Sequence, residues 1–143
     1  MNSSTVNTIS KYIKSQSRNK IIVYTGDHWE LKPFNVGWHL SEHFHNLKES
    51  VKLPMMFSNK LFEMLQQAIY IHPEFGKILA ITNVGILLEP EIKMDFSALL
   101  DSYSQNNTLF LKWPGESDTD NLYFLTKEQG IKIFIGNLSH IKI

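Results

Sequence analysis

Three short stretches of this chain carry residues whose types and spacing could do chemistry. The first is Gly26-Asp-His-Trp-Glu-Leu-Lys-Pro33, which follows a β-branched run and precedes a helical one. That is the place of a phosphate loop, G-x-x-x-x-G-K-S/T, where glycines bring backbone N–H groups against phosphate oxygens, a lysine neutralises charge and a hydroxyl holds magnesium. Gly26 and Lys32 fall in register with it. Leu31 stands where the second glycine belongs and Pro33 where the hydroxyl belongs. Leucine brings bulk where the backbone must come close, and proline removes a donor from the expected helix start. Asp27 and Glu30 add negative charge where phosphates would sit.

The second stretch runs from Ile78 to Ile92, beginning as a buried strand and ending polar. A strand that serves phosphoryl chemistry ends in Asp, often with Glu beyond it, because magnesium and the attacking water need carboxylates. Here those positions hold Thr82 and Gly85, with Asn83 between them; Glu89 and Glu91 lie nearby at a spacing that does not restore the geometry. A later strand closes on Trp113-Pro-Gly-Glu116. Its indole could stack on a base, although a tryptophan before a Pro-Gly turn more often packs into the core or its rim.

The third stretch is His39-Leu-Ser-Glu42-His43-Phe-His45. His39, Glu42 and His43 match the H-x-x-E-H pattern of inverted zinc peptidases. On a helix His39 and His43 share a face, which suits two zinc ligands, with Glu42 as base. A third ligand would come from afar, His28 or Glu116. So short a pattern arises readily by chance, and a polar, partly exposed helix face explains it more simply. His72 and His140 have no visible partners and read as surface or turn residues.

The rest of the chain bounds these options. Its 143 residues suit one domain, 1–143, with a leading helix and linker over 1–19. Hydrophobic residues at 43% and charged residues at 20% describe a soluble globular chain. Fourteen basic residues balance 14 acidic ones, so whole-molecule attraction to nucleic acid is not expected, and DNA contact would be indirect. There is no cysteine, hence no disulfide framework and no thiolate zinc site. The polar start, Met1 to Ser10, is no signal peptide, and no apolar run approaches the roughly 18 residues of a membrane span. A cytoplasmic protein without membrane contact is expected.

The elements that must position these residues follow from periodicity. Val6, Ile9 and Ile13 recur at helical spacing behind Ser3 or Ser4 as N-cap. Lys20 to Thr25 is a continuous β-branched run, the mark of a strand buried on both faces. Gly26 to Asn35 reads as loop, Val36 to Lys48 as helix and Val51 to Pro54 as a short strand. Ser58 caps a helix with the stripe Leu61, Phe62, Leu65, Ala68 and Ile69, ended by His72-Pro73. Lys77 to Thr82 is the second buried strand. Asp95 caps a helix burying Phe96, Leu99, Leu100 and Tyr103, and Thr108 to Trp113 is the third strand. Leu122 to Thr126 and Ile131 to Ile135 predict a hairpin, with Ile141 and Ile143 as one more edge segment. Alternating strands and helices predict an α/β fold: a P-loop-NTPase-like parallel sheet flanked by helices, with a β-hairpin-rich C-terminal tail.

The run Ile78 to Glu116 resembles BrxF, the small P-loop-containing component of one type of BREX bacteriophage-exclusion system. That family has a strand ending Asp-Asn-Ile-Glu, then Leu-Phe, an acidic-Pro-Glu turn, a helix, and a strand ending Trp-Pro-Gly. This chain reads Thr82-Asn83-Val84-Gly85, Leu87-Leu88-Glu89-Pro90-Glu91, a helix, then Leu111-Lys112-Trp113-Pro114-Gly115-Glu116; Leu122-Tyr123 in the tail also fits. The resemblance covers about 40 residues well. The family's magnesium and phosphate residues fall on Leu31, Pro33, Thr82 and Gly85.

The resemblance implies a prokaryotic anti-phage defence assembly. The departures imply a non-catalytic pseudo-NTPase or adaptor within it, acting through protein contacts. Its partners would be other proteins of that complex, or further copies of itself. Degenerate nucleotide-binding residues would be Gly26, Lys32, Thr82, Asn83 and Trp113. No cofactor is expected; ATP with magnesium is what the remnants would take. Two alternatives stand beside this: an unusual NTPase using Lys32, and a zinc-dependent hydrolase using His39, Glu42 and His43. Candidate contact surfaces are the helix Ser58 to Ile71, the Trp29/Trp38 region and the tail hairpin, whose strand Ile131 to Ile135 offers an edge for pairing.

Overall fold

A computed structural model describes residues 1–44, 52–125, 127–128 and 130–143; the side chains of Trp29, Glu42, His43, Phe44 and Leu125 lie outside that description. The chain orders as α1 Ser3–Ile13, β1 Ile21–Tyr24, a 3-10 turn Trp29–Leu31, β2 Phe34–Asn35, α2 Val36–Phe44, α3 Leu53–Ala68, β3 Tyr70–His72 and β4 Gly76–Thr82. Two 3-10 turns follow, Gly85–Leu88 and Pro90–Ile92, then α4 Phe96–Tyr103, β5 Thr108–Lys112, β6 Asn121–Leu125, β7 Gly130–Phe134 and β8 His140–Lys142.

The central sheet has six strands in the order β2-β4-β5-β1-β8 with β3 also paired to β4, and β6-β7 form a separate antiparallel hairpin. The β1–β5, β1–β8, β4–β5 and β2–β4 pairs are parallel, and β3–β4 is antiparallel. β2 and β3 share one edge of β4. Phe34 lies beside Ile81 at the carboxyl half, and Tyr70 beside Ile78 at the amino half.

Both faces of this sheet are covered, which is why β1 reads as an unbroken apolar run. The period of two divides its side chains. Ile22, Tyr24, Ile78, Ala80 and Phe110 join Ile9 of α1, Phe75 and Leu31 on one face. Ile21, Val23, Leu79, Ile81, Leu109 and Leu111 face α2, α3, α4 and the hairpin on the other. Asp95 caps α4 by accepting from the Ala98 N–H at 3.0 Å, and Phe96, Leu99, Leu100 and Tyr103 are its buried side, as the sequence predicts. The hairpin and the C-terminal edge strand are also found where the spacing places them.

Five expectations are corrected. Leu53 and Pro54 open α3 rather than forming a strand, because a proline with fixed φ suits a first helical turn. Ser58 is therefore inside α3, and Lys52 takes the cap position. α3 ends at Ala68, and residues 70–72 turn into β3 because β4 offers an antiparallel partner across the turn at 73–75. Phe34 and Asn35 are strand, not loop. The N-cap of α1 is Asn2, which accepts from the Thr5 N–H at 2.8 Å, rather than Ser3 or Ser4. The helix expected through Lys48 is described to Phe44; residues 45–51 lie outside the described chain.

Candidate functional site

In an open α/β sheet a ligand site lies beyond the carboxyl ends of the strands, where successive connections leave in opposite directions. β1 sends the chain to β2 at one edge, and β5 sends it through the hairpin to β8 on the far side of β1. The crevice so defined receives the loop after β1, the end of β4 and the Trp113 turn.

The loop after β1 does not lead into a helix at this crevice. It makes one 3-10 turn, crosses the α1 face and enters β2 at the opposite edge. Pro33 therefore precedes a strand, and the helix start it was expected to weaken lies elsewhere. Leu31 is the anchor of this crossing: its side chain is 0% exposed, packed in the cluster formed by Tyr24, Ile78 and Phe110. Burying a leucine fully is worth about 2 kcal/mol, so bulk at the glycine position fixes the loop to the sheet. The Tyr70 hydroxyl donates to the Leu31 carbonyl and holds it at the β3 edge. Gly26 has φ +75° with open space around it, so the turn out of β1 needs glycine for its dihedral, not for packing.

The charges at the loop are internally matched. Asp27 takes the Lys112 ammonium at 2.5 Å across the ends of β1 and β5, and that bond holds its carboxyl below the usual range. Glu30 accepts from the Met1 ammonium at 2.7 Å. Lys32, with φ +46°, places Nζ 5.8 Å from the Tyr70 ring centroid, on the α1 face. Tyr24, beneath the loop, has a buried hydroxyl with no hydrogen-bond partner among the described residues. Burial, with Asp27 and Tyr70 nearby, pushes it up to about 12.

At the end of β4, Thr82 lies beside Asn35 of β2. Asn83, at φ +54°, turns its carbonyl and amide to the start of α2. The Gly37 N–H donates to the Asn83 carbonyl at 2.9 Å. The Trp38 N–H donates to Asn35 Oδ1 at 2.8 Å, and Asn83 Nδ2 donates to the same oxygen at 2.9 Å. Two early donors of α2, the groups that bind an anion when left free, are thus consumed by the chain's own asparagines. A Cβ on Gly37 would stand 2.5 Å from Asn83 Nδ2, so only glycine admits this approach.

The tail closes the other side. Trp113 is 1% exposed, between Phe96 and Phe124, and its Nε1–H donates to the carbonyls of Glu116 and Tyr123, both at 3.2 Å. No face of the indole is open to a base. Gly85 lies under the Phe124 ring, which a Cβ would approach to 3.2 Å, so a side chain there would need that ring to shift by a few tenths of an ångström. The Gly115 backbone packs on the Tyr123 carbonyl in the same way. The candidate residues are therefore dispersed. Thr82 and Asn83 are together at the end of β4, Gly26 at the end of β1, and Lys32 and Trp113 on opposite faces of the sheet. Asn35 and Phe124, which complete the closure, carry no signal in the sequence: one looks like a loop polar residue, the other like an ordinary strand residue.

His39 is exposed and stacked on Phe34, centroids 4.5 Å apart and planes within 2°, with Trp38 edge-on at 4.9 Å. The side chains of Glu42 and His43, the other two residues of the zinc pattern, lie outside the description. Among the described residues no group of three or more His, Asp or Glu is placed to hold a metal ion. His72 is buried, not a surface residue; its Nδ1 accepts from the Glu74 and Phe75 N–H groups and fastens the β3–β4 turn.

Comparison with protein-family models, curated proteins and solved structures finds no match to this chain. What is established is the class: an α/β protein with a mostly parallel sheet flanked by helices and a C-terminal antiparallel hairpin. None of its described helices is long and apolar enough to cross a membrane.

Proposed function

We propose that this chain is a non-catalytic adaptor on a P-loop-like scaffold, a pseudo-NTPase that works through protein contacts. The observation that carries this is that the groups a nucleotide would need are dispersed and already engaged within the chain. Where a nucleotide would need free N–H donors, a lysine and carboxylates, the chain presents Asn35 and Asn83 bonded to α2, Lys32 turned to Tyr70, and Phe124 over Gly85. A role within a prokaryotic anti-phage assembly rests on the sequence resemblance over Ile78 to Glu116. The order of elements there, β4, two 3-10 turns, α4, β5 and the Trp113 turn, agrees with that motif.

The test is a pair of measurements on the purified full chain. Isothermal titration with Mg-ATP is expected to give no saturable heat, and a phosphate-release assay no turnover. Turnover lost on Lys32→Ala would establish the working NTPase instead. Stoichiometric zinc in protein prepared without a histidine tag would establish the hydrolase.

A further inference from the structure

The two sides of the central sheet are finished differently. β4 is covered on its outer side by the short strands β2 and β3. β8 ends the sheet on the other side and, among the described strands, pairs with β1 alone. The Ile143 N–H donates to the Val23 carbonyl at 3.0 Å. Main-chain groups alternate in direction along a strand, so Ile141 turns to β1 with Ile143, while the N–H and C=O of His140 and Lys142 turn outward. A cleft of about 380 Å3 is lined by the three residues of β8 and by Asp118 and Thr119. An open row of main-chain donors and acceptors calls for extended backbone as its occupant.

The surrounding charge selects among extended segments. Residues 1–26 hold Lys11, Lys14, Arg18 and Lys20 and no acidic residue, and residues 129–143 hold Lys132 and Lys142 and none. The fold brings these two stretches together. The Tyr12 hydroxyl of α1 donates to the Ser139 carbonyl at 2.9 Å, and Ile141 and Ile143 pack on the cluster that includes Ile9. Arg18 is paired with Asp101, whereas Lys11, Lys14 and Lys142 are exposed. Asp118 is the one acid lining the cleft. Its carboxylate is taken by the Tyr123 hydroxyl and the Asp120 and Asn121 N–H groups, and the Lys142 ammonium donates to its main-chain carbonyl.

We propose that the free edge of β8 takes an extended acidic segment of a partner protein as an added strand. Main-chain bonds to His140 and Lys142 hold it, and carboxylates on the side that meets Lys142 select it. A second copy of β8 fits poorly, because antiparallel pairing about Ile141 sets Lys142 against His140 twice, with no acid in either strand. A nucleic acid would use the charge and leave the outward main-chain groups unpaired. The proposal rests on the adaptor reading for its protein partner. The edge shares no residue with Gly26, Lys32, Thr82, Asn83 or Trp113, so a nucleotide titration and a peptide titration fail separately.

The test is fluorescence anisotropy of a short, labelled, acetylated peptide of alternating glutamate and valine, titrated with the full chain. Saturable binding is expected, and a lysine–valine peptide should bind at least about tenfold more weakly. An added strand bonds through alternate residues only. Methylating alternate amide nitrogens of the peptide should therefore weaken binding at least about tenfold in one phase and little in the other. Lys142→Glu should weaken it by a similar factor, and Thr119→Trp, which narrows the cleft from its other wall, should weaken it too. Lys77→Glu makes the same charge change on exposed β4 surface and should leave binding near wild type. Melting temperatures of the three variants check that each is folded. No saturable binding overturns the proposal, as does equal binding of the two peptides or indifference to methylation in both phases. Equal losses in Lys77→Glu and Lys142→Glu overturn it as well. So does a single-stranded oligonucleotide that displaces the peptide and binds more tightly, or a dimer in sedimentation equilibrium that Lys142→Glu dissociates.

Discussion

Leu31 falls where the phosphate-loop pattern has a glycine, and its burial gives it a packing role there. It is a core residue, so the loop that carries it is structural. Leu31→Ala is expected to cost about 2–5 kcal/mol in urea unfolding, as for other buried leucines. Among the described residues Lys32 is held by a ring contact, so Lys32→Ala should change stability by less than about 1 kcal/mol. A larger loss would mean that the lysine has a buried anionic partner. The Tyr24 hydroxyl is buried without a protein partner, a cost to the fold. Tyr24→Phe should therefore raise stability by about 1 kcal/mol; a loss would show that the hydroxyl is bonded in solution.

Among the elements, the joint between β4 and α2 is the most informative. Asn83 sits in the left-handed region and serves α2 through both its main chain and its side chain. Asn83→Gly keeps the backbone at ease and loses only the amide, whereas Asn83→Ala adds about 1 kcal/mol of conformational cost. The alanine variant should therefore melt lower than the glycine variant, and the reverse order would contradict the geometry.

The turn before β6 makes a prediction in pH. The Asp118 carboxylate accepts from the Tyr123 hydroxyl at 2.5 Å, and from the Asp120 and Asn121 N–H groups and the Asn121 amide. The Tyr123 bond foremost lowers its pKa from 3.8 to about 2. A depressed carboxylate stabilises the fold above its unfolded pKa and loses that contribution as pH falls through the folded one. The melting-temperature gap between wild type and Asp118→Asn should close between pH 3.8 and about 2; a gap that persists at the acid end would assign it to packing.

The long buried elements were legible from periodicity, because β1, β4, β5 and α4 each carry enough apolar residues to declare a face. The short ones were not. β2 is two residues long and is strand only because Ile81 and Thr82 lie beside it. β3 continues the apolar stripe of α3 in sequence and leaves it only to pair with β4. For the candidate site, sequence marks Leu31, Pro33, Thr82 and Gly85 as departures from a phosphate-site pattern. The replacements were not legible, because Asn35, Asn83 and Phe124 act through contacts distant in sequence.

At the scale of the molecule these contacts support the proposed reading, in which the crevice where an α/β sheet would bind a nucleotide is closed from within. The α1 face supplies Leu31, the β4 end supplies Asn83, and the tail supplies Trp113 and Phe124. Opening it would mean lifting the hairpin off a shared core, since Leu122 and Ile133 are buried with Trp113 and Leu79.

The most direct measurement is the melting temperature of the full chain against Mg-ATP concentration, for wild type and Lys32→Ala. A ligand bound only by the folded state stabilises it by about 2.7 kcal/mol at 100 times its Kd, which a melt resolves easily. A closed crevice predicts superimposable melts at every concentration in both proteins. A saturable rise in wild type that Lys32→Ala abolishes would show that the crevice opens to a nucleotide, and would contradict the account at its centre.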